Sequence, residues 1–160
     1  MLMLLFYLGK DSYAIESSSV VEVIPRVPLR KINHVPDYVA GLFNYRGKIA
    51  PVIDLCHLIQ GKPSGVKLST RIIMVNSMTE DRTMPYLGLM AERIIKTLDK
   101  PDSDLVNSDV HMNVAPYLGG IILDQNGMIQ RIHLDRLFTD ARQFYLAAAG
   151  EVKTDEPREY

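Results

Sequence analysis

A chain of 160 residues with 47% apolar and 23% charged side chains is a globular sequence, long enough for one ordinary domain or two very small ones that share a core. Its 18 basic and 19 acidic residues leave a formal charge of −1, which argues against a dominant nucleic-acid surface. The single cysteine, Cys56, excludes an internal disulfide, so the fold must stand on packing, as suits a reducing cytoplasm.

The opening "MLMLLFYLGKDSYAI" has no positive region before its apolar run, which ends at Gly9, so it reads as a first strand rather than a signal peptide. No segment approaches the ~18 uninterrupted apolar residues of a membrane span, so a soluble, intracellular protein is expected. "MLLFYLG" and "SYAIE" flank the turn residues Gly9, Lys10 and Asp11. In "SSSVVEVI", Ser19 stands three residues before Glu22, a capping-box spacing that predicts a short helical turn. "RVPLRKIN" is extended, with Pro25 just before it and Pro28 within it confining it to a sheet edge, and "VPDYVAG" reads as one helical turn ended by Gly41.

"GLFNYRGKIAPVIDL" is strand, turn, strand. A type I turn with Gly47 as a bulge is expected at its tip, because a type I′ turn would ask Arg46 for positive φ. Asp54 then caps a short helix "LCHLIQ" that Gly61 stops. "TRIIMVNSM", "MPYLGLMA" and "RIIKTL" are strands, "DKPDSDLVNSD" is a polar connection, and "YLGGIILD" and "GMIQRIHL" form a hairpin across Asp124-Gln125-Asn126-Gly127. Leu134, Leu137, Phe138, Ala141 and Tyr145 recur at helical spacing, predicting an amphipathic helix to Ala149. The domain is set at 1–149, and the charged stretch 150–160 is expected to be disordered. Roughly ten short strands with few helices indicate an all-β chain built as two small closed barrels.

Candidate chemistry is sparse. Asp54, Cys56 and His57 form the tightest polar cluster, and all three types can ligate metals or act in catalysis. Asp54 is already used as a helix cap, however, and Cys56 and His57 point about a quarter-turn apart on a helix. His34, His111 and His133 are scattered, and the acids Asp102 and Asp104 lie in a polar connection and read as solvation. No phosphate loop, nucleophile elbow or dinucleotide fingerprint is present. Met74, Met84 and Met90 read as core residues within strands, although methionine also suits adaptable binding surfaces. These residues favour binding over catalysis, with no cofactor; a small-ligand or metal-binding barrel using Asp54, Cys56 and His57 is the alternative.

"VAGLFNYRGKIAPVIDL" resembles the signature of the CheW-like adaptor family of bacterial chemosensory systems. Gly41, Asn44, Arg46, Gly47, Pro51, Val52, Ile53, Asp54 and Leu55 fit that pattern. "LLFYLGKDSYAIESSSVVEVI", with Glu22 at an acidic position, resembles the family's opening, and "YLGGIILDQNGMIQRIHLDRLF" its closing hairpin and helix. The resemblance covers approximately residues 3 to 140. It implies two intertwined five-stranded SH3-like β-barrels with short helices and a C-terminal helix. It also implies a non-catalytic cytoplasmic scaffold. Such an adaptor couples the tip of a methyl-accepting chemoreceptor to the regulatory domain of the histidine kinase CheA, without inserting in the membrane or binding nucleic acid. Two departures stand out: Glu92-Arg93 where the family often has Asp-Gly, and Ser17 to Ser19 in place of apolar and basic residues.

On this resemblance a receptor helix would dock in a groove between the barrels. Arg46 would fix its register through a planar fork, Gly47 would permit the turn and Asn44 would brace it. Gly41, Leu42, Glu22, Val20, Val23 and Ile24 complete the expected receptor surface. Met90 and Ile94 are expected at the kinase contact. The other reading of Arg46 is that it ties the hairpin to a neighbouring loop and meets no partner.

Overall fold

The computed structural model describes residues 1–65, 67–77, 83–99, 105–106, 115–125 and 127–155, with backbone alone for 105–106 and 147–155. Among these residues the strands are β1 (Leu2–Leu8), β2 (Asp11–Glu16), β3 (Val20–Pro25), β4 (Val39–Tyr45), β5 (Lys48–Asp54), β6 (Arg71–Asn76), β7 (Tyr86–Ala91), β8 (Arg93–Asp99), β9 (Leu105–Val106), β10 (Leu118–Asp124) and β11 (Gly127–Ile132). Two helices, α1 (Leu55–Gln60) and α2 (Leu134–Asp155), complete the fold. One sheet has the order β8-β1-β2-β11-β10-β9 and the other β3-β6-β7-β5-β4. The second sheet is a continuous piece of chain, and the first is assembled from the segments before and after it. This is the intertwining the resemblance implied.

Both sheets curl, and their buried residues explain why the strands read as unbroken apolar runs rather than alternating ones. Along β1, Met3 and Leu5 face one cluster with Ala14, Ile122 and Ile129, and Leu4, Phe6 and Leu8 face another. Ile95 and Leu98 of β8 pack on that first cluster, which also holds Ile122 of β10 and Ile129 of β11. Along β6, Ile72 and Met74 line the inside of the second sheet with Val52 and Met90, while Ile73 and Val75 join Leu4, Phe6 and Leu8. There are thus two barrel interiors and one shared core between them. Alternate side chains along each central strand serve different cores, so both faces demand apolar residues.

α2 closes the shared core. Leu134, Leu137, Phe138 and Ala141 are buried there and Tyr145 packs beside them, as the spacing predicted. Tyr38, on the connection into β4, meets Phe144 edge-on with ring centroids 6.0 Å apart. The helix continues past Ala149 to Asp155, so the first part of the charged stretch expected to be disordered is helical.

Other local readings are corrected. The capping-box turn is instead a 3-10 turn at Ser17–Ser19, and Val20–Pro25 is strand paired to β6. The β-branched valines win because pairing and burial outweigh a local cap. "VPDYVAG" makes only a turn, with Val39 N–H donating to Pro36 O at 3.0 Å, and Gly41 lies within β4. A Cβ on Gly41 would sit 2.6 Å from Arg30 O, and the close approach lets Arg30 and Leu42 exchange backbone hydrogen bonds of 2.8 and 2.9 Å. Met84 is fully buried but precedes β7 rather than lying in a strand. The polar connection after β8 contributes the two-residue β9, a sixth strand in a sheet expected to have five. His111, Asp102, Asp104 and Asn126 lie outside the described residues.

Candidate functional site: the β4–β5 hairpin tip

Tyr45 pairs with Lys48, leaving Arg46 and Gly47 as a two-residue loop. Their φ angles are 52° and 81°, so the turn is type I′ and the expected type I turn with a bulge is overturned. Only a primed turn matches the right-handed twist of the flanking strands across two residues. The left-handed conformation costs a non-glycine residue about 1–2 kcal/mol, and contacts around Arg46 offset it. Asn44 Oδ1 accepts from Gly47 N–H at 2.9 Å, bracing the loop as expected. The Arg46 guanidinium lies 5.1 Å from the centroid of the Tyr45 ring, and its Nη2 stands 3.4 Å from Glu22 Oε1.

Glu22 sits in β3, at the opposite edge of the sheet from β4. It accepts from Tyr45 Oη at 2.5 Å as well as facing Arg46. The two edge strands therefore meet through side chains, and the sheet closes into a barrel without a backbone ladder at the seam. Tyr45 is buried at 6% exposure, while the side chains of Arg46 and Glu22 keep 54% and 42%. Burial, followed by the bond to Glu22, pushes the Tyr45 phenol up to about 12. The sequence reading missed Tyr45. An aromatic beside a hairpin turn that must cover an arginine's stem was the available signal.

The remaining expected receptor residues are dispersed. Val23 is exposed next to Glu22, whereas Val20 packs on the shared core and Ile24 on the barrel interior. Gly41 and half-buried Leu42 lie near the far end of β4, beside Arg30. The structure thus gathers Glu22, Asn44, Arg46 and Gly47 at one tip, while Val23, the next residue along β3, points to the opposite face of the strand from Glu22. Of the kinase candidates, Met90 points into a barrel interior at 6% exposure and Ile94 is half-buried against the shared core. Met90 also floors a groove of about 590 Å³ walled by Val27, Leu29, Val39 and His57.

The Asp54, Cys56 and His57 cluster does not converge. Asp54 is buried and accepts from the N–H groups of Cys56 (3.1 Å) and His57 (3.4 Å) as the cap of α1. It also accepts from Ser64 N–H at 2.7 Å and Ser64 Oγ at 2.6 Å. Cys56 turns inward, its Sγ 3.2 Å from Glu92 Oε1. Burial first, then Glu92, pushes the thiol up to about 12, so it is protonated and a poor nucleophile near neutrality. Among the described residues no three His, Cys, Asp or Glu side chains are placed to hold a metal ion. His34 is exposed in a turn with φ 62°, and His133, beyond β11, is driven below its ordinary range by burial and by Arg131.

Two curled sheets sharing one core, with a terminal helix sealing it, define a paired-β-barrel module. The chain belongs to the CheW-like domain family, whose model matches residues 2–142. It is 27% identical over 140 residues to the chemotaxis protein CheW of Treponema pallidum, covering 84% of this chain and 79% of that protein. It is 34% identical over 100 residues to the chemotaxis protein CheW of Helicobacter pylori, covering 62% and 58%. The crystal structure of the scaffolding protein TtCheW from Thermoanaerobacter tengcongensis superposes with a TM-score of 0.72 at 25% identity, covering 83% of this chain and 84% of that one.

Proposed function

We propose that this chain is a non-catalytic adaptor of a bacterial chemosensory assembly, joining the cytoplasmic tip of a methyl-accepting receptor to the regulatory domain of CheA. Family membership supports the adaptor class, and the observation that carries the receptor contact is the hairpin tip. There a planar cation is held by Tyr45 and Glu22 and half its surface still faces solvent. A pre-oriented guanidinium loses little freedom on docking and can engage carboxylates or helix carbonyls of a receptor in one register. Asn44 and Gly47 shape the loop, and exposed Val23, on the other face of β3 from Glu22, extends the apolar surface.

For the kinase contact, Met90 acts from the floor of its groove and Ile94 by supporting the neighbouring surface. Asp54, Cys56 and His57 serve the fold in this reading, and no cofactor is required. Among the described residues no helix is long and apolar enough to cross a membrane, and we place the protein in the cytoplasm, held at receptor arrays by its partners. Size-exclusion chromatography with a kinase regulatory domain and with a receptor-tip fragment tests the assignment. Co-elution with each supports it, and failure to bind either from any cognate pair overturns it.

A further inference from the structure

The departure Glu92-Arg93 builds a second feature on the molecule, away from the hairpin tip. Arg93 opens β8 and pairs directly with Tyr7 of β1, its guanidinium 5.6 Å from the centre of that ring. Lys10 follows in the β1–β2 turn, and Lys67 reaches over from the loop after α1. Together with Ser69 and Glu92 they line a concavity of about 490 Å³. Its one carboxylate is committed on both oxygens: Glu92 Oε1 accepts from Cys56 and Oε2 faces Lys67 Nζ at 3.6 Å. Among the described residues neither Lys10 nor Arg93 has a carboxylate within ion-pair distance. Asp11, adjacent to Lys10 in sequence, is turned to Gln60 Nε2 at 3.4 Å.

We infer that this pocket binds a small free phosphorylated anion, one that presents a phosphate or diphosphate group. After Glu92 and Lys67 cancel, two positive charges remain, which matches one phosphate dianion and is twice what a single carboxylate neutralises. The exposed guanidinium, 5.6 Å from the centre of the Tyr7 ring, can offer two N–H groups to phosphate oxygens, and Ser69 adds a hydroxyl. The volume falls within the roughly 300–1,000 Å³ of small-molecule sites. The inference goes beyond the adaptor role and stands without it, because it concerns the isolated chain.

The test is titration of the full-length chain with inorganic pyrophosphate and with inorganic phosphate, by calorimetry and phosphorus NMR in about 50 mM salt, where screening is weak. Saturable binding is expected, tighter for pyrophosphate. Arg93→Gly, Arg93→Gln and Lys10→Ala should each weaken it by about tenfold or more, the scale of one charge-assisted hydrogen bond. Lys48→Ala, at the distant hairpin tip, should leave it unchanged, and circular dichroism verifies folding of each variant. The inference is overturned by absence of saturation up to about 10 mM ligand. It is equally overturned by unaltered binding in folded Arg93→Gln, or by a tetraglutamate peptide binding as well as pyrophosphate, which would make the pocket a docking point for an acidic protein segment.

Discussion

Tyr45 and Glu22 join the two free edges of one barrel: a phenol from β4 donates at 2.5 Å to a carboxylate on β3, which the backbone leaves unpaired with β4. Tyr45→Phe keeps the ring and its edge-on contact with Tyr86 but removes the donor. Glu22 can recover water because it is partly exposed, so the expected loss is about 1–1.5 kcal/mol. Urea unfolding measures it, and an unchanged midpoint would show that the seam holds by packing alone.

Arg46 separates binding from folding. Its contacts with Glu22 and Tyr45 are exposed, so Arg46→Ala should lower stability by only about 0.5–1.5 kcal/mol. Receptor-tip affinity should fall by about 2–4 kcal/mol, as for a central interface arginine. Arg46→Asn, better suited to positive φ, should fold at least as well and bind as poorly as the alanine variant. Calorimetric melting alongside binding by surface plasmon resonance distinguishes the outcomes. A sharp drop in melting temperature with affinity retained would make the side chain scaffolding.

Asp54 should be the costliest polar residue in the neighbourhood to lose. It caps α1 and anchors Ser64 through four hydrogen bonds in a buried setting. Asp54→Ala removes a cap worth up to about 2 kcal/mol and also strands two Ser64 donors, so about 2–4 kcal/mol is expected from denaturant titration.

Gly88 marks the tightest point of the second barrel. A Cβ there would lie 2.9 Å from Val52 Cγ2, 3.0 Å from Ile72 Cγ2 and 3.3 Å from Met74 Sδ. Gly88→Ala should therefore cost about 1–3 kcal/mol through overpacking. Adding Val52→Ala should make the pair of changes less than additive, which a double-mutant cycle by urea unfolding reads directly.

Stability should decline in alkaline solution before bulk unfolding sets in. The Cys56 thiol is raised from its ordinary 9.0 to about 12 and the Tyr45 phenol from 10.0 to about 12. In both cases the folded chain keeps its proton where the unfolded chain has released it. Their stabilising effect is complete below about pH 9 and is lost as pH climbs from 9 toward 12. Urea midpoints at pH 7.5, 9 and 10 should fall in that order. Cys56→Ala should start lower at pH 7.5, from lost packing, and decline less steeply above 9.

Features governed by near neighbours were legible in the sequence. Asp54 as a cap, Gly61 as a stop and the apolar stripe of α2 each depend on residues within a turn or two. The turn at Arg46 was not, because a local weighing counts the cost of positive φ and omits Glu22, 24 positions away. The Ser19 to Glu22 spacing misled for the same reason: it is a local helix signal, and β3 is held by pairing with β6 some fifty residues later. Chemistry could be narrowed by elimination, since Asp54 was visibly occupied. Geometry that needs two distant strands, such as the Tyr45 contact, could not.

The sheet order also sets a timetable for synthesis. β1 and β2 emerge from the ribosome first, yet their other partners in the sheet, β8 and β11, follow only after the whole second barrel has been made. At ~5–20 residues per second the first hairpin waits several seconds with Met3 and Leu5 bare on one side and Leu4, Phe6 and Leu8 on the other. A nascent chain arrested within residues 20–91 therefore presents a two-sided greasy ribbon, which makes the early hairpin the segment a chaperone would grip.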